Sequence, residues 1–156
     1  MTAAIYCRKA KAQAGSHLKN NVDIRQITSP NEIDAGQVSN LLTQLLMQKE
    51  PAFQIEKQIE CLLRKDDILL VVSMQEEQIT GMITGYICPH ISPAYSPFLL
   101  VEALIVDRAY RRRGIGRRLM LWMERYADQK SCKYITLASQ ASRNNAHSFY
   151  TALGYN

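Results

Sequence analysis

The stretch FLLVEALIVDRAYRRRGIGRR, residues 98–118, decides how the rest of the chain is read. Its first nine residues, Phe98 to Val106, are an apolar run with one charge, Glu102, and read as a buried strand. From Gly114 to about Lys130 an amphipathic helix follows, with Ile115, Leu119, Trp122, Met123 and Tyr126 on one face. Between them stand two glycines one residue apart, Gly114 and Gly116, among Arg108, Arg111, Arg112, Arg113, Arg117 and Arg118. Glycine lets backbone come close to a ligand, and the unsatisfied N–H groups of a helix start favour an anion. The guanidinium groups add charge and paired donors. The segment therefore reads as a pyrophosphate cradle, against the competing reading of a glycine turn with solvated arginines. It is not a Walker loop, since the lysine and the following Ser/Thr are absent, and it lacks a three-glycine dinucleotide fingerprint.

Upstream, ILLVVSM (68–74) and ITGMITGYIC (79–88) are strands around the polar turn QEEQ (75–78), and the glycines of the second suggest a bulge or a close backbone approach. A proline-punctuated loop, 89–97, separates them from the strand at 98. Val22 to Thr28 reads as a short strand, and Ser29-Pro30-Asn31-Glu32 carries helix-start chemistry. Val38, Leu41, Leu42, Leu45 and Leu46 continue at helical spacing, and a second helix begins near Pro51 with Phe53, Ile55, Ile59, Leu62 and Leu63. Downstream, Lys133 to Ala138 is a strand, and a last helix, Asn144 to Leu153, aligns Ala146, Phe149, Tyr150 and Leu153. The order β-α-α-β-β-β-α-β-α predicts an α/β (α+β) fold in which one mixed sheet carries helices on both faces. Residues 1–21 show no sustained period and read as a flexible basic arm preceding one domain, 22–156.

The chain has 156 residues, 47% hydrophobic and 21% charged, which suits one domain with a core and excludes collagenous, disordered and disulfide-rich classes. Its net charge of +5 is uneven, because Arg8, Lys9, Lys11 and Lys19 supply +4 of it before residue 22. With the arginines around 111–118 focused in one place and no aromatic residues interleaved, nucleic acid is not expected as a partner. No apolar run is long enough for a membrane span, and no secretory h-region opens the chain. Cys7, Cys61, Cys88 and Cys132 lie far apart, with no zinc-ligand spacing, so no metal is expected. Reduced, mostly buried thiols in a cytoplasmic protein are the expectation.

Arg111-Arg112-Arg113-Gly114-Ile115-Gly116 resembles the acetyl-CoA signature Arg/Gln-x-x-Gly-x-Gly/Ala of the GCN5-related N-acetyltransferases. Ala146-His147-Ser148-Phe149-Tyr150-Thr151-Ala152-Leu153-Gly154-Tyr155 resembles that family's Ala-x-x-Phe/Leu-Tyr-x-x-x-Gly-Phe/Tyr block, and the turn before Ile79-Thr80-Gly81 is a weaker third match. Together these cover most of residues 22–156 in the family's order. The resemblance implies a mostly antiparallel sheet and transfer of acetyl from acetyl-CoA to a primary amine in a ternary complex, the acceptor being a small molecule. A non-catalytic acyl-CoA-sensing module and a protein N-terminal or lysine acetyltransferase are the alternatives. It further implies that the strand backbone at Leu104, Ile105 and Val106 lies along the pantetheine. Arg111, Arg112, Arg113, Gly114, Ile115, Gly116 and Arg117 would hold the pyrophosphate, and Asn145 would add a cofactor contact.

Tyr150 matches the family tyrosine that protonates the departing thiolate, against a competing role as a core aromatic beside Phe149. Glu102, an acid within an apolar strand, is the candidate to receive the amine proton, its burial expected to raise its pKa; a structural ion pair or simple attraction of a cationic substrate is the alternative. His147 is read as pointing elsewhere on the helix, and His90 and Tyr95 as a substrate wall. Two departures stand out. Arg143 occupies the position where many members have Asn, and the sequence stops at Asn156, where members continue into closing strands. The outer edge of 133–138 is therefore expected to lack a partner, and either to pair with another copy in a homodimer or to be covered by the N-terminal arm.

Overall fold

The computed structural model describes residues 3–9, 22–92 and 94–156. The elements are β1 (Ala3–Lys9), β2 (Asp23–Ile27), α1 (Ala35–Leu46), α2 (Ala52–Leu63), β3 (Ile68–Gln75), β4 (Gln78–Cys88), β5 (Phe98–Val106), α3 (Ile115–Gln129), β6 (Tyr134–Gln140) and α4 (Asn144–Ala152). One six-stranded sheet has the order β1-β6-β5-β4-β3-β2. All neighbours are antiparallel except β5 and β6. The mixed, mostly antiparallel sheet with helices on both faces is the expected one.

Strand alternation builds two cores. Leu70, Val72, Ile79, Met82 and Ile105 pack with Val38 and Leu41 of α1 and Ile55 and Ile59 of α2. On the other face Leu69, Val71, Ile83, Leu99 and Val101 pack with Leu119, Met120 and Met123 of α3 and Tyr150 of α4. The glycines of β4 are where partners come closest. A Cβ on Gly81 would stand 2.9 Å from the Ile105 carbonyl oxygen, and one on Gly85 would stand 3.0 Å from the Met123 sulfur. A bulge also shifts the β3–β4 register at Ser73/Met74, beside Gly81.

Ser29-Pro30-Asn31-Glu32 does not start the long helix. It makes a single 3-10 turn, Pro30–Glu32, in which the Glu32 carboxylate accepts from the Ser29 N–H at 2.7 Å. Asp34 is the N-cap of α1, accepting from Gly36 and Gln37. The thiols are also more exposed than expected: Cys7 and Cys61 are exposed, Cys88 is half-buried and Cys132 alone is buried. Cys61 lies on the solvent face of α2, and Cys7 on the outward face of β1.

Residues 3–9, read from sequence as part of a flexible arm, form β1; the remainder of that arm, 1–2 and 10–21, lies outside the described residues. The strand pairs along all of β6, from Ala3 opposite Gln140 to Lys9 opposite Tyr134. Of the two outcomes expected for this edge, the chain's own N-terminus covers it. Cys7 and Asn156 exchange backbone hydrogen bonds on the other side of β1, at 2.8 and 3.3 Å. Periodicity did not reveal β1 because its alternation is inverted. Ile5 is 75% exposed, whereas Arg8 faces inward, where its guanidinium meets the Glu124 carboxylate at 2.8 Å.

Candidate active site

The site begins with a change of strand parity. Leu99 and Val101 face α3, but so do Leu104 and Val106, because β5 carries an extra residue where the register slips opposite Met82/Thr84. Ala103 adopts φ 51° there, a left-handed conformation that only a local constraint holds in alanine. The parallel pairing of β5 with β6 stops at the same place, since Val101 opposite Leu137 is its last pair. Past that point the strands part, β6 staying with β1 and β5 staying with β4. A gap opens between them.

The bulge decides what faces the gap. Ile105 points its carbonyl at Gly81 of β4. Planar trans peptides then turn the Leu104 carbonyl and the Val106 N–H the other way, toward the gap. The Val106 carbonyl, on that side too, accepts from Arg111 Nε at 3.0 Å. The strand backbone expected to lie along an extended ligand is thus presented without a strand partner.

At the end of the gap stands the start of α3. Gly114 is its N-cap with φ 78°, no side chain caps the helix, and the first α-type bond runs from Arg118 N–H to the Gly114 carbonyl. The N–H groups of Ile115, Gly116 and Arg117 therefore lack backbone acceptors and carry the positive end of the dipole. A Cβ on Gly114 would meet nothing within 4 Å, so the approach is open. Gly116 differs, because a Cβ there would come 3.3 Å from the Phe149 ring; its smallness serves α3–α4 packing. Arg111, Arg112, Arg113 and Arg117 are exposed around the turn, with Arg113 lying over the Tyr110 ring at 5.1 Å. Arg118 turns away to the Val22 carbonyl at 2.7 Å. Asn145 is exposed on the first turn of α4.

Tyr150 is 8% exposed and packs on Phe149, Tyr6 and Tyr155, with ring centroids 5.2, 5.5 and 6.3 Å away. Burial pushes its phenol up to about 12; Arg143 opposes the shift, while Glu102 and Tyr6 add to it. Glu102 corrects the sequence reading, because it is exposed rather than buried. It sits at the bulge, where the change of parity leaves it uncovered, and Thr84 Oγ1 donates to its backbone carbonyl at 3.0 Å.

His147 meets Tyr6 and the carbonyls of Gln140 and Ala141, and Tyr6 packs against both its ring, at 5.6 Å, and that of Tyr150. His90 and Tyr95 cluster with Phe98 at the start of β5, the end remote from the start of α3, and so do not wall the gap. Sequence reasoning missed the part played by the end of α1. Gln44 Nε2 donates to Asp107 at 2.9 Å and Gln44 Oε1 accepts from the Arg108 N–H at 3.0 Å, while Arg143 donates to the Leu45 carbonyl at 2.9 Å. One helix end thus bridges the turn after β5 and the start of α4; no local pattern marks residues 63 or 98 positions apart as partners.

A cavity of about 980 Å³ lies elsewhere, between β2, the β3–β4 turn and the start of α1, lined by Asp23, Glu32, Asp34, Glu76 and Glu77. It shares no residue with the gap. Among the described residues no group of His, Cys, Asp and Glu side chains suits a metal ion, and no helix is long and apolar enough to cross a membrane.

The sequence model of the acetyltransferase (GNAT) family matches residues 37–155. Similar solved structures include a putative acetyltransferase from Agrobacterium tumefaciens str. C58, 19% identical over 86% of this chain and 92% of that one, with a TM-score of 0.77. A transcriptional regulator from Bacillus halodurans C-125 is 24% identical over 86% and 93%, with a TM-score of 0.76. The aminoglycoside N-acetyltransferase AAC(6')-Iy, in complex with CoA, is 21% identical over 92% and 90%, with a TM-score of 0.74.

Proposed function

Because the chain belongs to the acetyltransferase (GNAT) family, we propose that it transfers acetyl from acetyl-CoA to a primary amine of a small molecule, directly and within a ternary complex. The observation that carries this reading is the gap beyond Val101 and Leu137, with free β5 backbone along it and the uncapped α3 start at its end. The open space over Gly114 and the unpaired N–H groups of 115–117 suit a pyrophosphate, with Arg111, Arg112, Arg113 and Arg117 supplying charge. Asn145, exposed on the first turn of α4, would add a contact to the same ligand. The Leu104 carbonyl and Val106 N–H would hold an amide-bearing arm in line. The small-molecule acceptor is favoured by the aminoglycoside N-acetyltransferase among the similar structures.

Acetyl-CoA supplies a thioester carbonyl open to attack by an amine. The C–N bond forms, the C–S bond breaks, and the chain's task is to take one proton and give another. Glu102, an exposed carboxyl group at the bulge, draws an ammonium group to the gap and receives its proton through water. Tyr150, protonated throughout the physiological range, donates to the sulfur as negative charge develops there and regains its proton from solvent.

Calorimetry with CoA, followed by mass spectrometry of acetyl-CoA reactions with aminoglycosides, polyamines, amino sugars and an N-terminal peptide, tests the reading. The expected result is CoA binding, acetylation of at least one small amine, and a kcat for Tyr150→Phe lower by about a hundredfold with CoA affinity kept. CoA binding without turnover on any amine would replace it with a sensing role. Preference for the peptide would move the acceptor class to protein.

A further inference from the structure

The Tyr150 ring is set by packing, since among the described residues its hydroxyl makes no hydrogen bond. Two of the three rings around it, Phe149 and Tyr155, belong to its own short segment. The third, Tyr6, comes from β1, a strand more than 140 residues away in sequence. Tyr6 also reaches His147, where its hydroxyl meets Nδ1. His147 Nε2 faces the carbonyls of Gln140 and Ala141 at 2.9 and 3.2 Å. Carbonyls only accept, so Nε2 carries the proton, Nδ1 is the acceptor, and Tyr6 donates. The chain Tyr6 to His147 to the β6–α4 loop therefore fixes the first turn of the helix that carries Tyr150.

β1 is held in place by more than its ladder. Arg8 donates to Glu124 at 2.8 Å and to the Leu153 carbonyl at 2.7 Å, and its guanidinium lies over the Tyr155 ring at 5.6 Å. Glu124 is 4% exposed and also accepts from the Tyr155 hydroxyl at 3.1 Å. A buried carboxylate on α3 thus takes its cationic partner from β1, which makes the seated strand the charge-balanced state.

We propose that Tyr6 is a positioning residue for Tyr150, so that acetyl transfer requires β1 seated on β6 with Tyr6 against His147. This rests on the reading of Tyr150 as the proton donor. Tyr6 touches no reacting atom; it sets the ring that does.

The test is a double-mutant cycle on the full chain, using acetyl-CoA with the best amine of the panel above. Tyr6→Phe keeps the ring and loses the donor, and Tyr6→Ala loses both. The expected kcat is lower by about threefold for the first and about tenfold or more for the second, with CoA affinity unchanged. Both effects vanish in a Tyr150→Phe background, because a residue acting through Tyr150 has nothing left to position. Nitrogen-15 NMR of His147 supplies a readout independent of turnover, the hydrogen-bonded Nδ1 signal of the wild type shifting in Tyr6→Phe. Wild-type kcat in both Tyr6 variants alongside a slow Tyr150→Phe, or Tyr6 losses that persist undiminished without the Tyr150 hydroxyl, overturns the proposal while sparing the donor assignment. A wild-type rate in Tyr150→Phe, or no turnover at all, removes the donor assignment and the proposal with it.

Discussion

Arg8 of β1 and Glu124 of α3, 116 residues apart, meet at 2.8 Å with only 18% and 6% of their side chains exposed. The pair welds the N-terminal strand to the central helix. Arg8→Met leaves Glu124 buried without its cation, and the expected loss is about 3 kcal/mol in urea denaturation. Arg8→Met combined with Glu124→Leu, which removes both charges, recovers most of that loss. An unchanged midpoint in the single variant would show that β1 is not held by this charge.

The two glycines at the start of α3, Gly114 and Gly116, should behave differently. Gly114→Val forces a β-branched residue to φ 78° in open space, and is expected to weaken CoA binding by about tenfold or more, with a modest loss of stability. Gly116→Val pushes against the Phe149 ring and should lower the melting temperature as well as the affinity. Calorimetry beside thermal melts separates the two, and equal behaviour would refute the division of labour.

Glu102→Gln keeps size and removes charge at an exposed position. Steady-state kinetics should show kcat/KM lower by about tenfold or more, with CoA affinity unaltered. A rise confined to the KM for the amine would show that the carboxylate attracts the substrate without taking its proton.

Alkali should destabilise the fold through Tyr150. Its phenol titrates at about 12 when folded, against about 10 in the unfolded chain. Between these values the unfolded state has lost its proton and the folded state has kept it, so stability falls as pH rises; below pH about 10 the contribution is complete and constant. The total is about 3 kcal/mol, and it is absent in Tyr150→Phe. Tyr155, raised in the same direction by burial and by Glu124, still titrates in that variant, so the difference between the two pH profiles is the quantity to measure.

Removing residues 1–20 uncovers the β6 ladder from Tyr134 to Gln140. Light scattering should then show association, as a bare apolar edge seeks another strand. A monodisperse monomer would show that β6 tolerates an open edge.

The fold was legible because its determinants are local or periodic. Ile68 to Met74 alternates between two cores, α3 shows its apolar face at helical spacing, and the turn at 111–116 places glycine where positive φ and an open approach are needed. Where the reading failed, a tertiary partner had changed the local rule. Glu102 lies in an apolar run, yet the bulge at Ala103 leaves it in solvent. His147 follows no pattern of its own, and its role depends on a tyrosine from the other end of the chain.

Sequence by itself determined the order of the elements from residue 22 onward, the glycine–arginine turn before α3 and Tyr150 as a candidate, since each rests on residue type at fixed spacing along the chain. Only the tertiary structure decided that β5 and β6 part after Val101, that the end of α1 bridges their flanks, and that β1 completes the sheet with Arg8 turned inward. An inward arginine looks like a solvent residue until the buried carboxylate that neutralises it is in place. That carboxylate, Glu124, is brought there by folding.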